Sequence, residues 1–114
     1  MNGIYAAYVT GKAGNSIILF VIINGTNTGV DVGGMKYDGS IKEKDDKTGY
    51  TCSLVYVVPA GVGLITGGAP LTSSTPVPLT FDLPLRFMEP IITRIETPLG
   101  PVNARFEKLK DLAI

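Results

Sequence analysis

The chain has no histidine, no tryptophan, a single cysteine and no net charge. Each shortage excludes something. Without His there is no Ser–His or Cys–His nucleophile pair and no His-based zinc set, and the commonest general base is missing. Cys52 on its own rules out an intrachain disulfide and points to a reducing compartment. Ten basic residues balance ten acidic ones. A protein that grips phosphate backbones needs a basic surplus, so no direct nucleic-acid contact is expected. Long apolar runs are missing too. The longest, Ile17 to Ile23, covers 7 residues, whereas a membrane helix takes about 20. It reads as a buried strand, and no membrane partner is expected. The opening Met1-Asn2-Gly3-Ile4-Tyr5 lacks a basic stretch leading into an apolar one, so it does not read as a signal peptide. The expected address is cytoplasmic.

What is present is apolar alternation. With 114 residues and a hydrophobic fraction of 45%, residues 1–114 form one expected domain with a buried core. Apolar residues recur with period two between Gly, Pro and Asn punctuation, which is the pattern of strands. Along Leu79 to Phe87 the odd positions Leu79, Phe81, Leu83, Leu85 and Phe87 share one face. Pro84 cannot donate to a ladder, so that strand should be an edge or carry a bulge. Ile17 to Ile23 runs into Asn24-Gly25, the favoured two-residue hairpin turn, and a strand over Thr28 to Val32 follows. Further strands are expected over Met35 to Ile41 and Tyr50 to Val58, with Cys52, Leu54, Tyr56 and Val58 on one face. The stretch from Pro59 to Pro78 reads as a connection with one apolar island, Val62 to Ile65. Ile91 to Thr97 and Val102 to Glu107 form the arms of a last hairpin. Phe106, Leu109 and Leu112 lie at helical spacing, which predicts a short helix over 106–114. About eight sequential strands joined by tight turns predict an all-β, up-and-down antiparallel β-barrel, whose closure removes exposed sheet edges.

Chemistry-bearing patterns are sparse. Cys52 shares its strand face with Leu54 and Tyr56, so it reads as a small buried hydrophobe and not a reactive thiolate. Gly61-Val62-Gly63 and Gly67-Gly68 lack both dinucleotide-loop spacing and a following amphipathic helix. Asp31, Asp38, Asp45 and Asp46 do not have the alternation of a calcium loop. No catalytic residue, metal or cofactor is expected. The expected interior positions are Leu54, Tyr56, Phe81, Leu83 and Phe87. Barrels of about eight strands are either filled or hold one small ligand, which makes an apolar small molecule a candidate occupant. Taken by composition, Lys42 to Lys47 is a solvated turn between strands.

Several short motifs occur in a particular order: Gly3-Ile4-Tyr5, Asn24-Gly25 with Gly29-Val30-Asp31, Tyr37-Asp38-Gly39, and Arg86-Phe87-Met88-Glu89-Pro90-Ile91. Together they resemble the GrlR family, small repressors of type III secretion regulation. The likeness covers most of positions 3 to 92, apart from Pro59 to Pro78. It implies a lipocalin-like barrel, usually a homodimer, that acts as a negative regulator by binding a transcriptional activator and not by touching DNA. It also implies a partner-binding acidic run just after the Tyr-x-Gly strand. The matching positions are Glu43, Asp45 and Asp46, with Lys44 reversing the charge of the second. Two functions are therefore expected: a regulator acting by protein–protein contact, or a carrier or sensor of an apolar molecule inside the barrel.

Overall fold

A computed structural model describing residues 1–113 turns the alternation into strands. They are β1 (Gly3–Gly11), β2 (Gly14–Ile23), β3 (Thr26–Asp31), β4 (Lys36–Glu43), β5 (Gly49–Val58), β6 (Thr75–Pro84), β7 (Thr93–Thr97) and β8 (Gly100–Asp111). All pairings are antiparallel, in one sheet of order β6-β5-β4-β3-β2-β1-β8-β7. Sequential strands are neighbours, and β8 returns to pair with β1, so the topology is an up-and-down, nearly closed barrel. Local chemistry accounts for the sharpest corner. Asn24 and Gly25 have φ of 49° and 80°, and Ile23 pairs with Thr26 across them. That is the positive-φ pair a two-residue hairpin with strand-matched twist requires.

The ladder is interrupted between β6 and β7, and the sequence of β6 explains why. Pro76, Pro78 and Pro84 lie opposite Val57, Val55 and Gly49 of β5. Residues two apart in a strand present their backbone N–H in the same direction, so all three missing donors fall on one side. Proline is tolerated in a strand only where that side makes no ladder. β6 is accordingly an edge strand, and its free side offers little to an incoming strand.

Both boundaries of β6 differ from the sequence expectation. β6 begins at Thr75, so Pro76 and Pro78 belong to a strand and not to the connection, which covers 59–74. β6 also stops at Pro84, and the Phe87 N–H then donates to the Pro84 carbonyl in a turn (3.1 Å). The odd-position face is broken there. Leu85 is exposed at 47% while Phe87 returns to the interior at 2%.

The expected C-terminal helix is not formed. β8 continues as strand through Asp111, pairing with β1 from Thr10↔Asn103 to Gly3↔Asp111, with an irregularity at Ile4/Tyr5 that absorbs one residue. A helix of nine residues is marginal on its own, whereas a strand there satisfies the backbone of β1 and closes the barrel. Ile114, the last residue of that expected helix, lies outside the described residues. No helix among the described residues is long and apolar enough to cross a membrane.

Inward positions build the core. Tyr5, Ala7 and Val9 of β1 face Ile18 and Phe20 of β2 and Ala104 and Phe106 of β8. Phe87 closes one end of the barrel. Its ring meets Tyr50 and Phe106 edge-on, with centroids 5.5 Å apart in each case, and Tyr5 at 6.4 Å.

Candidate functional site

The opposite half of the barrel is hollow. A partly open, mainly apolar cavity of about 230 Å³ lies above the closed end. Its room comes from short side chains at inward positions. Ala7 and Ala104, both 1% exposed, occupy places on β1 and β8 where a larger residue would fill the space. Val62, Leu64 and Ile65 of the connection after β5 lie against the mouth. This segment is fastened to the β1–β2 hairpin: the Ala13 N–H donates to the Ile65 carbonyl at 2.7 Å. Gly11 permits the approach, since a Cβ there would lie 2.4 Å from that oxygen.

One wall is an aromatic row. Phe20, Gly29, Tyr37 and Tyr56 are in register across β2, β3, β4 and β5. Phe20 meets Tyr37 edge-on at 5.6 Å, and Tyr37 stacks on Tyr56 at 5.4 Å. Gly29 makes this possible, because a Cβ would fall 2.6 Å from the Phe20 ring and 2.6 Å from the Leu19 carbonyl oxygen. Gly29→Ala should therefore lower stability by about 1–3 kcal/mol through overpacking. Urea denaturation would check this, and an unchanged midpoint would refute the packing role of Gly29.

The same row leads to the cavity's polar corner. The Tyr37 hydroxyl donates to Asp31 Oδ2 at 3.0 Å. Asp31 Oδ1 accepts the N–H groups of Gly33 (2.9 Å) and Met35 (3.0 Å). Burial foremost, then the charge of Asp31 and its hydrogen bond, push the Tyr37 phenol far above its ordinary value, so it stays protonated. The Tyr56 phenol is raised by burial, with the Thr97 hydroxyl acting the other way. Asn15, Ser16, Thr66 and Thr97 are further polar lining residues.

Of the expected interior residues, Leu54, Tyr56 and Phe81 border this cavity. Leu83 and Phe87 do not. They border a separate void of about 20 Å³ at the closed end, which Leu54 and Phe81 also reach. Phe87 sits there because β6 ends at Pro84 and a turn carries the ring under the barrel floor. Asp31, Tyr37, Ala7 and Ala104 were not among the expected interior residues. The parity of β3 holds the clue to Asp31, since Asn27, Gly29 and Asp31 share a face. Cys52 is buried at 2% beside the closed-end void, and burial pushes its thiol up to about 12.

The acidic positions lie elsewhere, around the β4–β5 turn. Glu43 ends β4, and Asp45 and Asp46 are exposed in the turn. Lys44 reaches across the outer surface to Asp82 of β6 at 2.8 Å. Asp46 Oδ1 accepts from the Thr48 N–H (3.1 Å) and hydroxyl (2.7 Å), and these bonds lower its carboxyl pKa. Asp46 thus helps to shape the turn. No group of three or more His, Cys, Asp or Glu side chains among the described residues is arranged to hold a metal ion.

Comparison with protein-family models, curated proteins and solved structures finds no match. The likeness to the GrlR family rests on the sequence motifs alone. Fold and site define the class: an up-and-down β-barrel with an internal, mainly apolar cavity.

Proposed function

We propose that this protein is a non-enzymatic, cytoplasmic carrier or sensor of a small apolar molecule held inside the barrel. The cavity carries this reading. At about 230 Å³ it exceeds the ~150 Å³ apolar cavity that takes up benzene. It falls below the roughly 300–1,000 Å³ of pockets for drug-sized ligands. The fitting occupant is therefore a single ring or a chain of about eight carbons. Phe20, Leu54, Phe81 and Phe106, which separate the cavity from the closed-end void, limit its depth, so a long acyl chain would have to leave through the mouth.

Calorimetric titration with octan-1-ol and toluene, alongside native mass spectrometry of the purified protein, tests the reading. Saturable binding is expected. Ala7→Phe should reduce it by about tenfold or more by filling the space beside Ile18 and Phe106, with the fold retained by circular dichroism. No heat from either ligand and no co-purified small molecule would overturn the proposal.

One observation favours a second reading, partner binding of the GrlR type. Lys44, which breaks the acidic run, is itself paired with Asp82, so its charge is partly offset where Glu43 and Asp45 are displayed. On this reading the protein is a homodimeric negative regulator of type III secretion that contacts the basic surface of a transcriptional activator. Complementary charge acts chiefly on the association rate and weakens with salt. Replacing Glu43, Asp45 and Asp46 with Ala should slow capture of such an activator while changing stability by about 0.5 kcal/mol or less. Unchanged association kinetics in the folded triple variant would remove the turn as a site. A monomer mass by light scattering would count against the dimer.

A further inference from the structure

We infer that the cavity prefers an apolar molecule carrying a positively charged amine, with the ammonium seated at Asp31 and the apolar body directed toward Leu54 and Phe106. The inference rests on the reading of the cavity as a ligand site. Three features at the site point the same way. Asp31 is the one charged residue among the described residues that line the cavity; no Lys or Arg lines it. The Asp31 carboxylate is fixed in place by two backbone N–H groups and the Tyr37 hydroxyl, at 2.9, 3.0 and 3.0 Å. A carboxylate has about four lone-pair sites, so these three bonds leave capacity for a further donor. Tyr37 and Tyr56 also line the cavity, and an aromatic ring's face attracts a cation and repels an anion.

The polar lining residues gather at the mouth side, and this sets the orientation. Asn15, Ser16 and Asp31 come from the mouth-side ends of β2 and β3, whereas Leu54, Phe81 and Phe106 lie toward the closed end and, for Leu54, Phe81 and Phe106 alike, also border its void. An amine headgroup at the mouth retains access to water while the chain is buried. A carboxylate headgroup in the same position would face Asp31 with no lining cation to offset it. A charge-assisted hydrogen bond corresponds to roughly ten- to a hundredfold in affinity, and this sets the size of the expected preference.

The test uses three probes of equal chain length, octylamine, octan-1-ol and octanoate, titrated calorimetrically into the wild-type protein at pH 7. An alkylamine, like the Lys side chain, is charged at that pH. The expected order is octylamine, then octan-1-ol, then octanoate, with about tenfold or more between the first and last. Asp31→Asn keeps an acceptor for the Gly33 and Met35 N–H groups. It should bring octylamine down to the level of octan-1-ol measured in the same variant. If Asp31→Asn does not fold, the wild-type advantage of octylamine over octan-1-ol should still shrink as salt is raised. Equal binding of all three probes, or octanoate binding best, would overturn the amine preference and leave the cavity reading standing. Failure of all three to bind would overturn both.

Discussion

Phe87→Ala should be the most destabilising single side-chain truncation in the barrel, lowering stability by about 3–5 kcal/mol, the range for removing a buried Phe. The reason is position. Phe87 is 2% exposed and its ring sits among Tyr5, Tyr50 and Phe106, so it holds β1, β5 and β8 together at the closed end. Each aromatic pair adds about 0.5–1.5 kcal/mol beyond area burial. The ring belongs to a turn segment outside any ladder, so no strand pairing compensates for its loss. Leu85→Ala is the control. With its side chain 47% exposed, it should change stability by only about 0.5 kcal/mol. Urea denaturation of both variants decides the matter. A loss below about 1 kcal/mol for Phe87→Ala would show that the segment repacks and that the ring is no plug.

The contrast between Leu85 and Phe87 also marks where period-two reading stops working. Within β5 and the middle of β6, alternation placed Leu54, Tyr56, Phe81 and Leu83 on the inner face, because a paired strand leaves side chains no other choice. Beyond Pro84 the pairing ends, and the turn rather than the pleat decides direction. Phe87 is inside for a reason that the alternation does not contain. β8 shows the opposite failure. The spacing of Phe106, Leu109 and Leu112 is helical, but the unpaired edge of β1 supplies a partner that a local pattern cannot register. The cavity was legible only as an option. Its volume depends on Ala7 and Ala104 lying opposite larger residues, and that is a matter of register between β1, β2 and β8. The Asp31–Tyr37 corner was hidden for a similar reason, since the residues become partners only when β3 and β4 pair around Gly29.

Alkaline pH should destabilise this protein early and steeply, beginning near pH 9. The thiol of Cys52 is pushed from 9.0 to about 12, first by burial and then by the negative charge of Asp82. The phenol of Tyr37 is raised from 10.0 by burial and by Asp31, and those of Tyr5 and Tyr56 are raised mainly by burial. All four groups become anionic on losing a proton. The unfolded chain therefore releases these protons at a pH where the folded chain still retains them. Stability is intact below the unfolded thiol's value and falls as pH rises toward the folded value. The slope is about 1.4 kcal/mol per pH unit for one proton. Between pH 9 and 10 Cys52 makes the largest single contribution, and the tyrosines add to the fall as pH passes 10. By pH 11 the thiol alone should remove about 3 kcal/mol, a large share of the 5–15 kcal/mol typical of a folded domain. Urea midpoints measured from pH 8 to pH 11 would show this directly. Cys52→Ala should start from a lower stability and lose less between pH 9 and 10 than the wild type, its fall being that of the tyrosines alone. In the native wild type at pH 8 the thiol should resist disulfide reagents and react only on unfolding. A wild-type stability that is constant to pH 11, or a Cys52→Ala variant that falls as steeply between pH 9 and 10, would show that burial of the thiol is not coupled to folding as the structure requires.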